Sequence, residues 1–242
     1  MQSIGRVTLI TRYPVKSMAG EHLNQAQFAA YGLYGDRSHA LIDESLEGWE
    51  RYFTAREIPD LLGYKAAFTE GSCPDEFPGL QITSPGGEVF YWDDRLLQEI
   101  QKFSNRTISL LRHSPDNEKL LAVDTEGILI INDRSLNKLE TILGRGVDKR
   151  RFRANLVISL MNGCITDETQ LVGKRLSIGS TRLHVTQECE RCSMITIDPD
   201  TYNRDISILK KLNEEMNLNF GVYASVLAQG NAGIGDTVFI TE

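Results

Sequence analysis

Several familiar signatures are missing from this sequence, and each absence narrows what the chain can do. Across its 242 residues there is no Gly-x-Gly-x-x-Gly, no Walker loop, no His-Glu-x-x-His and no Gly-x-Ser-x-Gly. The usual dinucleotide, P-loop, zinc-protease and serine-hydrolase readings therefore have no support. Positive charge is in deficit: 26 Lys and Arg stand against 33 Asp and Glu, a net charge of −7. A duplex nucleic-acid binder needs a basic face, so no nucleic-acid partner is expected. No apolar run approaches the ~20 residues of a membrane span. Met1 leads almost directly into the β-rich residues 4–10 without a signal-peptide pattern, so the chain is expected to be cytoplasmic, with no membrane partner. Cysteine is scarce, four in all and unevenly spaced. A chain of this length buries roughly 70–75% of its unfolded surface without staples, so reduced thiols are expected.

What is present centres on one stretch, Gln187-Glu188-Cys189-Glu190-Arg191-Cys192-Ser193-Met194-Ile195-Thr196-Ile197-Asp198-Pro199. Two thiols lie three residues apart with an arginine between them, followed by β-branched residues that read as a short strand ending at Pro199. A guanidinium favours the thiolate of a neighbouring cysteine, and a thiolate is both a nucleophile and a soft metal ligand. A structural zinc site needs four ligands, and no second Cys-x-x-Cys exists; His184 is a third candidate, whereas Cys73 and Cys164 stand apart. A thioredoxin-type pair would open a helix. Spacing alone leaves two readings, a functional thiol or two buried small residues.

Strand-like runs cover residues 4–13, 23–30, 38–43, 64–69, 80–83, 108–112, 153–160, 182–186, 221–228 and 237–240. Apolar residues at helical spacing predict helices over 93–105, 134–143 and 206–216, the second closed by Gly144. Short strands, few helices and no alternation of strand and helix predict a mainly antiparallel β-barrel or a pair of barrels. The softest boundary falls near 113–119, and the two halves are not expected to be independent. Lys16-Ser17, Arg37, Arg56 and Arg153 place positive side chains at strand ends and turns, where anion sites are built; each taken singly also reads as a surface charge. Arg151 and Arg153 would share a face if their segment were a strand.

Taken together these pieces resemble the MOSC family, named for the C-terminal domain of molybdenum cofactor sulfurase. Tyr13-Pro14-Val15-Lys16-Ser17, Gly32-Leu33, Asp36-Arg37 and Thr54-Ala55-Arg56 are similar to the family's N-terminal β-barrel module. Phe152-Arg153-Ala154-Asn155, Cys189-x-Arg191-Cys192, Ile197-Asp198-Pro199, Phe220-Gly221-Val222-Tyr223 and Gly233-Ile234-Gly235-Asp236 are similar to the MOSC domain itself. The resemblance implies a mainly β fold with a few helices, an N-terminal module over 1–112 and a MOSC domain over 113–242. It implies a molybdenum cofactor, with Cys192 as metal ligand and Lys16, Ser17, Arg37, Arg153, Arg191 and Tyr223 holding the pterin and its phosphate; pyridoxal phosphate is a further open reading. Thr125 and Glu126 match a cofactor-holding loop whose usual small residues are replaced by Glu126-Gly127, which leaves backbone N–H groups to make the contacts. Tyr202 replaces the usual glycine, and a tyrosine there is expected to narrow the substrate entrance. The implied activity is reduction of small N-oxygenated compounds. With no cysteine cluster to build an iron–sulfur centre, the electrons are expected from a separate ferredoxin-like or reductase protein. Two alternatives stay open: a sulfur-transfer or cofactor-carrier protein with a persulfide on Cys192, and a non-catalytic scaffold.

Overall fold

The structure is a computed structural model, and it describes residues 1–71, 75–117, 121–161, 163 and 165–241. Cys73 and Cys164, and the end of the boundary expected near 113–119, lie outside the described residues. The first half of the chain contributes β1 (Gln2–Arg12), β2 (Glu21–Leu23), β3 (Gln25–Ala29), β4 (Gly32–Leu33), β5 (His39–Ile42), β6 (Lys65–Phe68), β7 (Leu80–Thr83), β8 (Val89–Tyr91), α1 (Asp94–Gln101) and β9 (Ser109–Arg112). The second half contributes β10 (Ile128–Asn132), α2 (Asp133–Leu143), β11 (Leu156–Leu160), β12 (Arg175–Ile178), β13 (Thr181–Glu190), α3 (Ile206–Met216), β14 (Asn219–Ala228), β15 (Gly230–Gly233) and β16 (Thr237–Thr241).

Seven strands close into a barrel in the order β11-β10-β14-β13-β12-β16-β1, with β1 pairing back onto β11. The pairs are antiparallel except β10–β11, which α2 joins as a crossover. Alternation fills the barrel: Leu176 and Ile178 of β12 and Leu183 and Val185 of β13 point inward with Ile4, Val7, Ile128, Ile130, Leu156 and Val222. A second cluster, including Leu129, Ile131, Phe152, Val157 and Phe220, packs outside the barrel under α2 and α3. A third fills the N-terminal module, where β6-β7-β8, β5-β9 and α1 surround Met18, Leu41, Phe53, Leu61 and Ile82. Among the described residues no helix is long and apolar enough to cross a membrane.

The caps of the helices are visible in sequence and in structure. Asp93 accepts from the N–H groups of Arg95 and Leu96, Asn132 from Ser135, and Asp205 from Ser207, and Gly144 closes α2 in the left-handed region. α1 stops short of the expected residue 105 because the Gln101 side chain donates to the carbonyls of Ser104 and Arg106, turning the chain back. Two expectations fail around the site. The residues after Cys192 form a 3-10 turn, Ser193–Thr196, instead of a strand, with the Thr196 hydroxyl donating to the Ser193 carbonyl. Burial of Ile195 and Ile197 in tertiary clusters outweighs their β preference. The expected strand over 153–160 begins only at Leu156; Lys149–Phe152 is another 3-10 turn and Arg153 is left-handed, so Arg151 and Arg153 do not share a strand face.

Candidate functional site

A cavity of about 580 Å³ opens where the N-terminal module meets one side of the barrel. Its lining includes every residue that the family resemblance assigned to the cofactor and its metal: Lys16, Ser17, Arg37, Thr125, Glu126, Arg153, Arg191, Cys192 and Tyr223. His184, the zinc-ligand candidate, is not among them. This volume falls within the range of roughly 300–1,000 Å³ that suits a small-molecule or cofactor site.

The chain reaches this cavity through strained backbone. Ser17, Arg37 and Arg153 adopt φ of 71°, 49° and 53°, and all three line the cavity. Side-chain-bearing residues enter this region at a cost of ~1–3 kcal/mol each, which a purely structural turn would avoid with glycine. Arg37 and Arg153 are tied to each other and to the strands around them. The Arg37 N–H donates to the Tyr13 carbonyl at 2.7 Å, and its guanidinium pairs with Asp36 and donates to Asn155 Oδ1 at 3.3 Å and the Arg153 carbonyl at 3.1 Å. Asn155, 1% exposed, also accepts from the Leu129 N–H and donates to the Thr11 carbonyl, stitching β1 to the start of β10 beneath the cavity floor.

Positive charge is packed densely here. The guanidiniums of Arg37 and Arg153 lie 4.6 Å and 4.2 Å from the Tyr13 ring centroid. Burial first, with Arg37 adding repulsion against Tyr13 attraction, pulls Arg153 down to about 10. Lys16 is drawn down to about 8 by burial, against the opposing pull of Asp124. Its ammonium donates to the Ala122 carbonyl at 3.0 Å and to Asp124 at 3.2 Å, and sits 3.9 Å from the Trp49 ring. Thr125 and Glu126 follow Asp124 on a loop pinned by a backbone crossing: a Cβ at Gly127 would overlap the Tyr31 carbonyl, and one at Gly32 the Gly127 carbonyl.

The two thiols occupy different environments. Cys192 is exposed at the N-cap of the 3-10 turn. Cys189 is 1% exposed, and β13 carries register shifts either side of it that move it from the barrel interior to the outer cluster. The arginine between them turns to Cys189: Arg191 Nη1 lies 2.9 Å from Cys189 Sγ, and Nη2 donates to the Phe152 carbonyl at 2.8 Å. The sequence left the arginine between the two thiols; the strand geometry directs it to Cys189. Tyr223, opposite Gln187 on β14, has its phenol pushed up by burial and then by Cys189.

Two further expectations are revised. Tyr202 is not among the lining residues; its hydroxyl abuts Gly63, and its ring packs with Ala55, Leu62, Met194 and Ile197. The three arginines 150, 151 and 153 divide their tasks: Arg150 pairs on the surface with Asp148 and Asp200, Arg153 faces the cavity, and Arg151 is buried. Arg151 donates to the Thr196 carbonyl at 3.0 Å and pairs with Asp198 at 2.6 Å, holding the turn that Cys192 begins.

Three buried polar atoms around the cavity have no partner among the described residues: Arg153 Nη2, Arg191 Nε and Thr54 Oγ1. A buried donor without a partner costs ~1–3 kcal/mol, so the arrangement suits a ligand bearing anionic and hydrogen-bonding groups. Beside an exposed thiol, the two arginine donors fit a phosphate-bearing pterin whose metal takes a soft sulfur ligand. Sequence reasoning missed Thr54, Asn155 and Trp49 as lining residues. Thr54 and Asn155 lay within the motifs that carried the resemblance, which marked the segments but not these side chains; Trp49 lay outside them.

Comparison with known proteins gives a consistent pattern. The family described as "MOSC domain" matches residues 117–239, and "MOSC N-terminal beta barrel domain" matches residues 4–128. Mitochondrial amidoxime reducing component 2 of Macaca fascicularis is 27% identical over 99% of this chain and 84% of its own length; the Homo sapiens protein of that name gives the same figures. Molybdenum cofactor sulfurase of Caenorhabditis elegans is 32% identical over 57% of this chain, a segment spanning 19% of that protein. The crystal structure of the YuaD protein from Bacillus subtilis superimposes with a TM-score of 0.51 at 14% identity, covering 97% of this chain and 94% of that one, a likeness of fold.

Proposed function

Because the chain belongs to the MOSC domain family, with that family's N-terminal β-barrel domain ahead of it, we propose that it holds a molybdenum cofactor through Cys192 and reduces small N-hydroxylated compounds with electrons from a separate protein. One observation carries the reading: buried cations with open hydrogen-bonding positions and an exposed thiol line the same cavity. The amidoxime reducing components, similar along nearly the whole chain, supply the reaction class.

When bound, the cofactor supplies two-electron redox chemistry at the metal. The chain's own residues do the rest. Lys16, Arg37 and Arg153 hold the phosphate, with the Arg153 Nη2 donor finding there the partner it lacks in the protein. Arg191 and Tyr223 would help to hold the pterin; Arg191 is oriented by Cys189 and the Phe152 carbonyl. Ser17, Thr125 and Glu126 line the wall of the same cradle. Cys192 gives its sulfur to the metal, and the Arg151–Asp198 pair fixes the turn that presents it.

Protein made in a cofactor-competent host should contain molybdenum near one atom per chain and reduce amidoximes with an artificial electron donor. Cys192→Ser should lose metal and turnover, while Cys189→Ser should keep a substantial part of both. Metal retained by Cys192→Ser and lost by Cys189→Ser reverses the ligand assignment. A second reading, sulfur transfer through a Cys192 persulfide, draws on the exposure of that thiol and on the match to molybdenum cofactor sulfurase. A shielded metal ligand is alkylated slowly in metal-loaded protein and faster in metal-free protein. Rapid alkylation of Cys192 in loaded protein, with no reductase activity, would favour sulfur transfer.

A further inference from the structure

The cavity wall contributed by residues 54–56 differs from the rest of the lining. Ala55, fully buried, packs with Leu62 and Ile197 and against Met194, two residues beyond Cys192. Thr54 and Arg56, on either side of it, line the cavity. The Arg56 carbonyl accepts from Arg204 Nη2 at 2.8 Å, and the N–H groups of Glu57 and Ile58 donate to the Thr54 carbonyl at 2.9 Å. The segment is therefore fixed against the turn that Cys192 begins, at the thiol side of the site.

Every other cation lining the cavity is engaged within the protein: Lys16 with Ala122 and Asp124, Arg37 with Asp36 and Asn155, Arg153 with the Tyr13 ring, Arg191 with Cys189 and Phe152. Arg56 is exposed, and among the described residues its side chain has no hydrogen bond, ion pair or ring partner. Beside it Thr54 is 6% exposed, with its hydroxyl unpartnered. A fixed backbone thus offers one guanidinium and one buried hydroxyl on the same cavity lining as the thiol, with no group among the described residues to satisfy either.

We propose that Thr54 and Arg56 form a substrate subsite that selects N-hydroxylated compounds carrying a carboxylate. One cation and one hydroxyl suit a single negative charge, and the carboxylates of Glu126, Glu188 and Glu190 on the same lining oppose a dianion. The subsite deepens the reductase reading and rests on it. It is assigned to the substrate and not to the cofactor, because its residues sit on the segment packed against the cysteine turn and Arg56 is the described lining cation that the protein leaves unpaired.

The test compares benzamidoxime with 4-carboxybenzamidoxime by equilibrium dialysis against oxidised, metal-loaded protein without an electron donor. A charge-assisted contact changes affinity by roughly 10–100-fold, and the wild-type protein should prefer the carboxylate probe by such a margin. Arg56→Ala should erase the margin while leaving benzamidoxime binding, molybdenum content and melting temperature unchanged; Arg56→Lys should keep part of it, and Thr54→Val should shrink it several-fold. Equal affinity of the wild type for both probes overturns the proposal, as does a margin that survives in Arg56→Ala. Loss of molybdenum in Arg56→Ala overturns it too, by assigning the residue to the cofactor. A margin without reduction of either probe, once an artificial donor is added, removes the reductase reading and leaves the subsite. Reduction of both probes with no margin does the opposite.

Discussion

Lys16 shows how far a single side chain can be moved by its surroundings. Buried beneath Trp49 and tied to Asp124, it loses its proton near pH 8 instead of near 10.5. Its charge is the form that attracts an anion, so anion affinity should fall as pH rises through about 8. The sign for folding is opposite: a folded-state value below the unfolded one means the unfolded chain holds more protons between about 8 and 10.5, and this group's contribution to stability rises with pH in that window. Cofactor retention after gel filtration, followed from pH 7 to pH 9.5, should drop by up to about tenfold per unit above pH 8. In Lys16→Arg, where the charge persists, the drop should flatten. An unchanged slope in that variant would mean Lys16 does not face the anion. Residue chemistry of this kind was legible in part. Arginines and a lysine at turns announced an anion site, and left-handed backbone marks two of them, Arg37 and Arg153, and Ser17 beside the lysine. Which thiol the Arg191 guanidinium serves was not legible, because the register shifts of β13 that turn Cys189 outward depend on its pairing with β14.

At the scale of elements, the 3-10 turn Ser193–Thr196 has little sequence preference for its own shape, and Arg151 supplies much of what holds it. Removing Arg151 leaves the Thr196 carbonyl short of one donor and Asp198 without its ion partner. Asp198 keeps the N–H groups of Asp200 and Thr201, so the loss should be moderate. Arg151→Met should lower unfolding stability by about 2–4 kcal/mol in denaturant titration and speed alkylation of Cys192 in metal-free protein. A shift under ~0.5 kcal/mol would make the pair a surface contact. The helices were readable because their signals are local: apolar residues recur at helical spacing along each, and Gly144 closes the second. β10 was not read, although Ile128-Leu129-Ile130-Ile131-Asn132 is buried throughout. A strand covered on both faces loses the alternation that reveals strands, and this one is defined by β11 and β14, far along the chain.

Across the whole molecule, the N-terminal module and the barrel interlock through backbone contacts too close for larger residues. A Cβ on Gly63 would strike the hydroxyl and ring of Tyr202, which holds the loop after the cysteine turn against the module. Gly63→Ala should therefore cost about 1–3 kcal/mol and loosen cofactor retention. Trimming the obstacle in the double variant Gly63→Ala, Tyr202→Ser should be less damaging than the two single changes added together. Strict additivity in thermal melts would mean the two residues do not meet. The barrel architecture was legible from many short strands and scattered turns. That Tyr202 would serve this junction, and not the mouth of the cavity, depends on a chain crossing that only the folded molecule contains.

The closing strand carries a consequence for how the protein is made. Gln2 of β1 pairs with Ile240 of β16, and Gly5 with Leu160 of β11. On a ribosome adding ~5–20 residues per second, roughly 10–50 s pass between the emergence of those first and last partners. Through that interval β1, paired early with β2 at Ile10–Arg12, lacks its β16 partner over Gln2–Arg6, and the barrel cannot close around its core. Molecular chaperones that shield such an edge should raise the soluble yield of this protein more than added chemical stability would, since the hazard precedes the native state.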